Sequence, residues 1–242
     1  MNPSRIIPIG IDHLLIEYEE KIDPVVNATV SQLWKAIEAQ NWPGLIAMIP
    51  AYRSLLVQFD PAQWVAADLE QQIRGLLPKG EASDAASGRR ITLPVLYGGK
   101  HGPDLQDVAK YNNLTANQVI EIHQGGSYRV YMLGFNPGYP YLGGLDPRLA
   151  IPRLKQPRTR VPAGSVAIGG EQTGVYSTAS PGGWRLIGHT PVPLFDVKLE
   201  NPVLLRPGDN VRFRSVDQQE YDTIIMQIEN GSYQIEMAGD NR

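Results

Sequence analysis

The 242-residue chain contains no cysteine. That excludes disulfides, thiolate catalysis and cysteine-based zinc or iron–sulfur sites. It also fits a reducing, cytoplasmic setting, which is the expected localisation. An excess of one charge is lacking too: 22 Lys and Arg stand against 25 Asp and Glu, a net charge of −3. A nucleic-acid binder would need a basic face to displace counterions, so nucleic acid is not an expected partner. No apolar run approaches the ~18 residues of a membrane span, so no membrane partner is expected. The first ten residues include Pro3, Arg5 and Pro8 without a long apolar core, and no secretory leader is expected. His13, His101, His123 and His189 are scattered without metal-ligand spacing, so no dedicated metal site is expected; a Mg²⁺ carried in by a nucleotide needs few protein ligands. There is no P-loop, no protein-kinase signature set and no G-x-S-x-G.

What is present is ordinary in bulk and unusual in placement. Hydrophobic residues make up 42% and charged residues 19%, values of a globular protein. Residues 1–78 read as a small α/β domain. Strands are expected at 6–9 and 13–18. Asp23-Pro24 then puts a cap residue before a proline at the first helical position, and Val26, Val30, Leu33, Trp34 and Ile37 follow on one helical face. Short strands are expected at 45–49 and 53–59. Asp60-Pro61 repeats the cap signal ahead of Trp64, Leu69, Ile73 and Leu76. A strand at 91–97 either closes a ferredoxin-like β-α-β-β-α-β unit or begins the next domain. Residues 79–88, small and polar, read as the linker.

Residues 89–242 form the second expected domain. Short helices are expected at 104–111 and 115–123, the latter capped by Thr115, and a strand at 127–135. From Gly134 to Gly188 about a third of the residues are Gly or Pro, against roughly 12% on average, which disfavours helices. Strands are expected at 165–168, 174–177, 184–189, 203–205 and 210–214, the pattern of a β-barrel with long ordered connections. Near the C-terminus Asn230-Gly231 suits either a hairpin turn or a helix end. Tyr221, Ile224, Ile225 and Ile228 at helical spacing, behind Asp217 and Glu220, favour the helix.

The dense stretch reads GFNPGYPYLGGLDPRLAIPR at 134–153, PRTRVPAGSVAIGGEQTGVYS at 157–177 and SPGGWRLIGHTPVPLFD at 180–196. With LPVLYGG at 93–99, GPDL at 102–105 and LLRPGDNVRF at 204–213, it resembles the KipI / allophanate-hydrolase-subunit-1 family, most of all its 5-oxoprolinase branch. The resemblance runs from about residue 5 to about residue 233. It implies an α+β fold: a small N-terminal α/β domain and a C-terminal cyclophilin-like β-barrel. It implies a component of an ATP-dependent 5-oxoprolinase complex, the small PxpB-type one, inactive alone. The implied partners are a PxpC/KipA-like sister subunit and a PxpA-like subunit. Together they would convert 5-oxo-L-proline, ATP (as its Mg complex) and water into L-glutamate, ADP and phosphate. Two other roles occur in the family: docking on a sensor histidine kinase as an inhibitor, and carboxyl transfer from carboxybiotin.

Opening a stable lactam with ATP requires a carboxylate grip, phosphate contacts and a proton carrier. Arg158 and Arg160 are candidates for the anions, since a planar guanidinium matches carboxylate and phosphate; Arg153 is a weaker one. The turn 169–174, with Gly170 in it, suits either an anion nest with Glu171 and Gln172 at its rim or a tight turn that needs glycine; Gln172 is also a candidate catalytic residue. Tyr176 is a candidate catalytic or packing residue, and Trp184 a substrate wall or barrel plug. His189 is the only histidine in the dense stretch and the candidate acid–base or anion contact. Residues 134–139 are expected to form a rigid loop, and Asp209 a turn.

Overall fold

The computed structural model describes residues 2–21, 23–77 and 88–239. The expected linker, 79–88, lies outside the described residues except for Gly88. The chain forms two compact units, Met1–Ala86 and Ser87–Arg242. No helix among the described residues is long and apolar enough to cross a membrane.

The first unit runs β1 (Arg5–Ile9), β2 (His13–Glu17), α1 (Pro24–Glu38), β3 (Leu45–Pro50), β4 (Ser54–Phe59) and α2 (Ala66–Gly75). Its antiparallel sheet has the order β1-β2-β4-β3. Alternation decides which side is covered. Leu14 and Ile16 of β2 and Leu55, Val57 and Phe59 of β4 are buried against Val26, Val30, Leu33 and Ile37 of α1 and Leu69 and Ile73 of α2. Asp23 caps α1 as expected, accepting from the N–H groups of Val25 at 2.8 Å and Val26 at 3.2 Å. Two expectations need correction. Residues 91–97 do not complete this sheet: the first hairpin already supplies the fourth strand, so the element order is not that of a ferredoxin-like unit. Nor does Asp60 begin α2. It caps a single turn, accepting from Ala62 N–H at 2.9 Å. The Trp64 indole N–H donates to the Pro43 carbonyl at 2.8 Å, which pins that turn and delays the helix to Ala66.

The second unit is built on β5 (Arg90–Tyr97), α3 (Leu105–Tyr111), α4 (Ala116–Gly125), β6 (Tyr128–Leu133), β7 (Pro140–Gly143) and a 3-10 turn at Pro147–Leu149. It continues with β8 (Arg158–Val161), β9 (Ser165–Gly169), β10 (Gln172–Val175), β11 (Ser180–Gly182), β12 (Arg185–His189), β13 (Asn210–Ser215), α5 (Gln218–Glu229) and β14 (Glu236–Ala238). Seven strands close into a barrel in the order β12-β9-β10-β7-β6-β13-β5, with β5 pairing back to β12. Closure leaves no open edge in the ring. β8 and β11 form a separate two-stranded ribbon. Thr115 and Gln118 cap α4 reciprocally, and Asp217 caps α5 through the Glu220 N–H at 2.8 Å. Residues 203–205 form no strand; they are tied to the preceding segment by the isolated bridge Phe195 to Val203 and by Leu204 N–H donating to the Leu194 carbonyl at 3.0 Å.

A histidine sits inside this unit. His123 of α4 is fully buried and stacks on Phe213 at 4.6 Å. Thr173 Oγ donates to the Ala167 carbonyl at 3.1 Å, so it accepts from His123 Nε2 at 2.8 Å. Nδ1 therefore accepts from the Tyr97 hydroxyl at 2.7 Å. Every polar atom of the ring has a partner in its neutral form, and burial pushes its pKa down to about 3.

Candidate functional site

The glycine- and proline-rich connections enclose an aromatic cavity of about 290 Å³. Phe135, Tyr139, Tyr141, Tyr176 and Trp184 wall it, and Arg153 stands at its side. Tyr139 is the hub. Its ring lies 5.5 Å from Tyr141, 5.6 Å from Tyr176 and 6.3 Å from Trp184, each edge to face, the geometry that aromatic quadrupoles favour. Tyr139 and Tyr141 are two apart along an extended segment and so project to one side. Two glycines on neighbouring strands seat the indole. A Cβ at Gly169 would lie 2.6 Å from the Trp184 ring, and one at Gly174 would lie 3.2 Å from that ring and 3.0 Å from the Tyr139 hydroxyl. Gly169→Ala is therefore expected to displace Trp184, lower stability by about 1–3 kcal/mol and shift tryptophan emission. Urea unfolding followed by fluorescence measures both; a variant identical to wild type would show that the indole is not seated as described.

Charge in the cavity comes from one side. The Arg153 guanidinium lies 5.5 Å from the centroid of the Trp184 ring, is exposed, and forms no ion pair among the described residues. Tyr176 is 2% exposed. Burial raises its pKa, against the lowering effects of the Trp184 N–H and the charges of Arg153 and Arg158. It thus presents a neutral hydroxyl at pH 7. The mouth is formed by Phe135, 64% exposed and 5.4 Å from Tyr139. Its φ is +62°, and the Asn136 N–H donates back to the Gly134 carbonyl at 2.6 Å, a γ-turn of the strained, positive-φ kind. The loop is clamped by Gly134 N–H to Tyr139 O at 3.1 Å and Tyr139 N–H to Asn136 O at 3.0 Å. Such a conformation costs on the order of 1–3 kcal/mol in a non-glycine residue.

The other expected site residues lie elsewhere. Arg158 is half-buried and donates from Nη2 to Asp104 Oδ1 at 2.7 Å and from Nη1 to the Trp184 carbonyl at 3.4 Å. The second Asp104 oxygen accepts from Leu186 N–H at 2.7 Å. Arg158 is thus a clamp behind Trp184, not a free anion contact. Arg160 is exposed on the β8–β11 ribbon. Gly170 settles the turn-or-nest alternative in favour of the turn. Its φ is +64°, as the first residue of a two-residue loop between paired Gly169 and Gln172 requires. Its N–H donates to the Ile151 carbonyl at 2.8 Å, and its carbonyl accepts from Ile151 N–H at 3.1 Å, so it has no donor left for an anion. Glu171 is the exposed second loop residue, and Gln172 opens β10; neither lines the cavity.

His189 is at the opposite end of β12 from Trp184, roughly 16 Å away at ~3.3 Å per residue. The Ala163 carbonyl can only accept, so His189 donates to it from Nε2 at 2.7 Å and accepts at Nδ1 from the Tyr221 hydroxyl at 2.8 Å. Both nitrogens are bonded, and burial lowers its pKa. It belongs to a small cluster with His101, 5.2 Å away ring to ring, and not to the cavity. Of the sequence candidates, Tyr176, Trp184 and the weaker Arg153 come together here. Phe135 and Tyr139, from the loop expected to be rigid, and Tyr141 join them; their signal in the sequence is the recurrence of aromatics among the glycines and prolines.

Comparison with known proteins bears on what the cavity serves. The family described as carboxyltransferase domain, subdomain C and D, matches residues 4–205. The chain belongs to this carboxyltransferase C/D family. Among its relatives is the 5-oxoprolinase B subunit of Bacillus subtilis, 43% identical over 232 residues, covering 90% of this chain and 95% of that protein. The 5-oxoprolinase B subunit of Escherichia coli O157:H7 is 43% identical over 221 residues, covering 91% and 99%. Among solved structures, that of TTHA0988 superposes with a TM-score of 0.76 at 38% identity. The match covers 85% of this chain but 40% of that longer one.

Proposed function

We propose that the chain is the B subunit of an ATP-dependent 5-oxoprolinase, acting in the cytoplasm with a PxpC/KipA-like sister subunit and a PxpA-like subunit. One observation carries this reading: two B subunits match it at 43% identity over nearly the full length of all three proteins. The closed seven-stranded barrel supports the cyclophilin-like architecture implied by the sequence resemblance.

The cavity supports a share in the chemistry. ATP activates a lactam by phosphorylating the amide oxygen, which makes the ring carbon electrophilic towards water. That step needs a flat substrate held away from bulk water beside an anion contact. The aromatic walls and Arg153 meet that need. They do not fit a triphosphate: the cavity of about 290 Å³ holds a single arginine, and the Gly170 N–H is already bonded to Ile151. On this reading the nucleotide contacts the partner subunits, and no phosphoryl step is assigned to residues of this chain.

An omission series tests the proposal. The three co-purified subunits are expected to release glutamate and ADP from 5-oxo-L-proline and ATP, and omission of this chain to reduce glutamate release at least 100-fold. Undiminished release without it, or none from the assembled three, contradicts the assignment.

A further inference from the structure

We infer that the aromatic cavity is the receptor for the substrate ring, with Arg153 taking its carboxylate and Phe135 capping it from the mouth. The inference rests on the 5-oxoprolinase reading and deepens it. A five-membered lactam acid offers three recognition features: a flat amide, an apolar CH₂–CH₂ edge and one carboxylate. The cavity offers the complement. Its volume of about 290 Å³ lies at the small end of ligand pockets, ~300–1,000 Å³, which suits one ring. Trp184 and Tyr139 meet edge to face, leaving flat and edge surfaces for a planar guest. Arg153 sits against the Trp184 ring and forms no ion pair among the described residues. Stacked cations keep the donor fork of the guanidinium available for bidentate carboxylate binding. The Tyr176 hydroxyl, kept neutral by burial, adds one hydrogen-bonding group to the cavity wall.

Phe135 supplies the independent observation. A phenyl ring at φ +62° and 64% exposed gains little from packing, yet two backbone bonds of the Gly134–Tyr139 loop hold it there. Strain of this kind persists where it pre-organises a contact. Capping the guest would bury that ring and offset its exposure.

The test uses the assembled three-subunit enzyme. Arg153→Ala is expected to raise the KM for 5-oxo-L-proline about 10–100-fold, the loss of a charge-assisted pair. Binding of 2-pyrrolidinone, the same ring without the carboxylate, is expected to be equal in the variant and the wild type. Phe135→Gly is expected to raise the same KM about 3–10-fold while Tm stays level or rises, because glycine relieves the positive φ. Turnover with an unchanged KM in Arg153→Ala overturns the receptor. A lowered Tm with unchanged KM in Phe135→Gly overturns the cap and makes Phe135 a packing residue. Absence of turnover in the wild-type complex overturns the enzyme reading instead, so the failures are distinguishable.

Discussion

Lowering the pH from 6.5 to 3 is expected to remove about 4 kcal/mol of stability from the second unit through His123 alone. The folded state holds this imidazole neutral, with its pKa near 3, whereas the unfolded chain titrates near 6.5. Its contribution is therefore complete above pH 6.5. It is lost as pH falls, because the unfolded state takes up the proton first, at about 1.4 kcal/mol per pH unit. Carboxylates with depressed pKa, such as Asp146 beside Arg148, add their own acid sensitivity, so the comparison must be with a variant. His123→Leu removes the titration. It also leaves the Tyr97 hydroxyl without its acceptor, a pH-independent cost of about 1–3 kcal/mol. Urea unfolding at a series of pH values should give a wild-type curve that falls toward the variant's from pH 6.5 downward. Parallel curves would show that His123 is not held neutral.

Asp104→Ala is expected to cost about 3–5 kcal/mol, the effect of breaking one side of a buried pair. Asp104 is 5% exposed, and its two oxygens serve Arg158 and the Leu186 N–H. Its removal strands a half-buried guanidinium and a buried amide together. Asp104→Asn keeps one acceptor but turns an NH2 on the other N–H and loses the charge, so it should recover only part of that cost. Arg158 also touches the Trp184 carbonyl, so Asp104→Ala should loosen the cavity wall as well, raising KM in the assembled enzyme. Denaturant midpoints of the two variants check the ordering; equal costs below about 1 kcal/mol would contradict a clamp at this position.

Local signals carried much of the fold. The α1 cap at Asp23, the capping box at Thr115 and the α5 start at Asp217 each depend on residues within a few positions of one another, and the structure holds all three. Asp60-Pro61 carried the same signal and failed, because the Trp64 contact that overrides it reaches back to Pro43. The strand at 91–97 was visible, but its partners β12, β13 and β14 come from far later in the sequence. Ring closure is not written in any local window.

The site was less legible for a related reason. Arg153, Arg158 and Arg160 look alike as residues in a polar loop. What separates them is Asp104, 54 positions before Arg158, and the Trp184 ring beside Arg153. His189 drew notice for its chemistry and its dense surroundings. The hydroxyl that occupies it belongs to Tyr221 on α5. Gly170 was open to two readings until the Ile151 bridge showed where its N–H goes.

The most direct measurement is a structure of the three assembled subunits with 5-oxo-L-proline and a non-hydrolysable ATP analogue. The account predicts lactam density between Phe135 and Trp184, its carboxylate within hydrogen-bonding distance of Arg153 and the nucleotide on a partner. Lactam density outside this cavity, with Arg153 facing solvent, would contradict it.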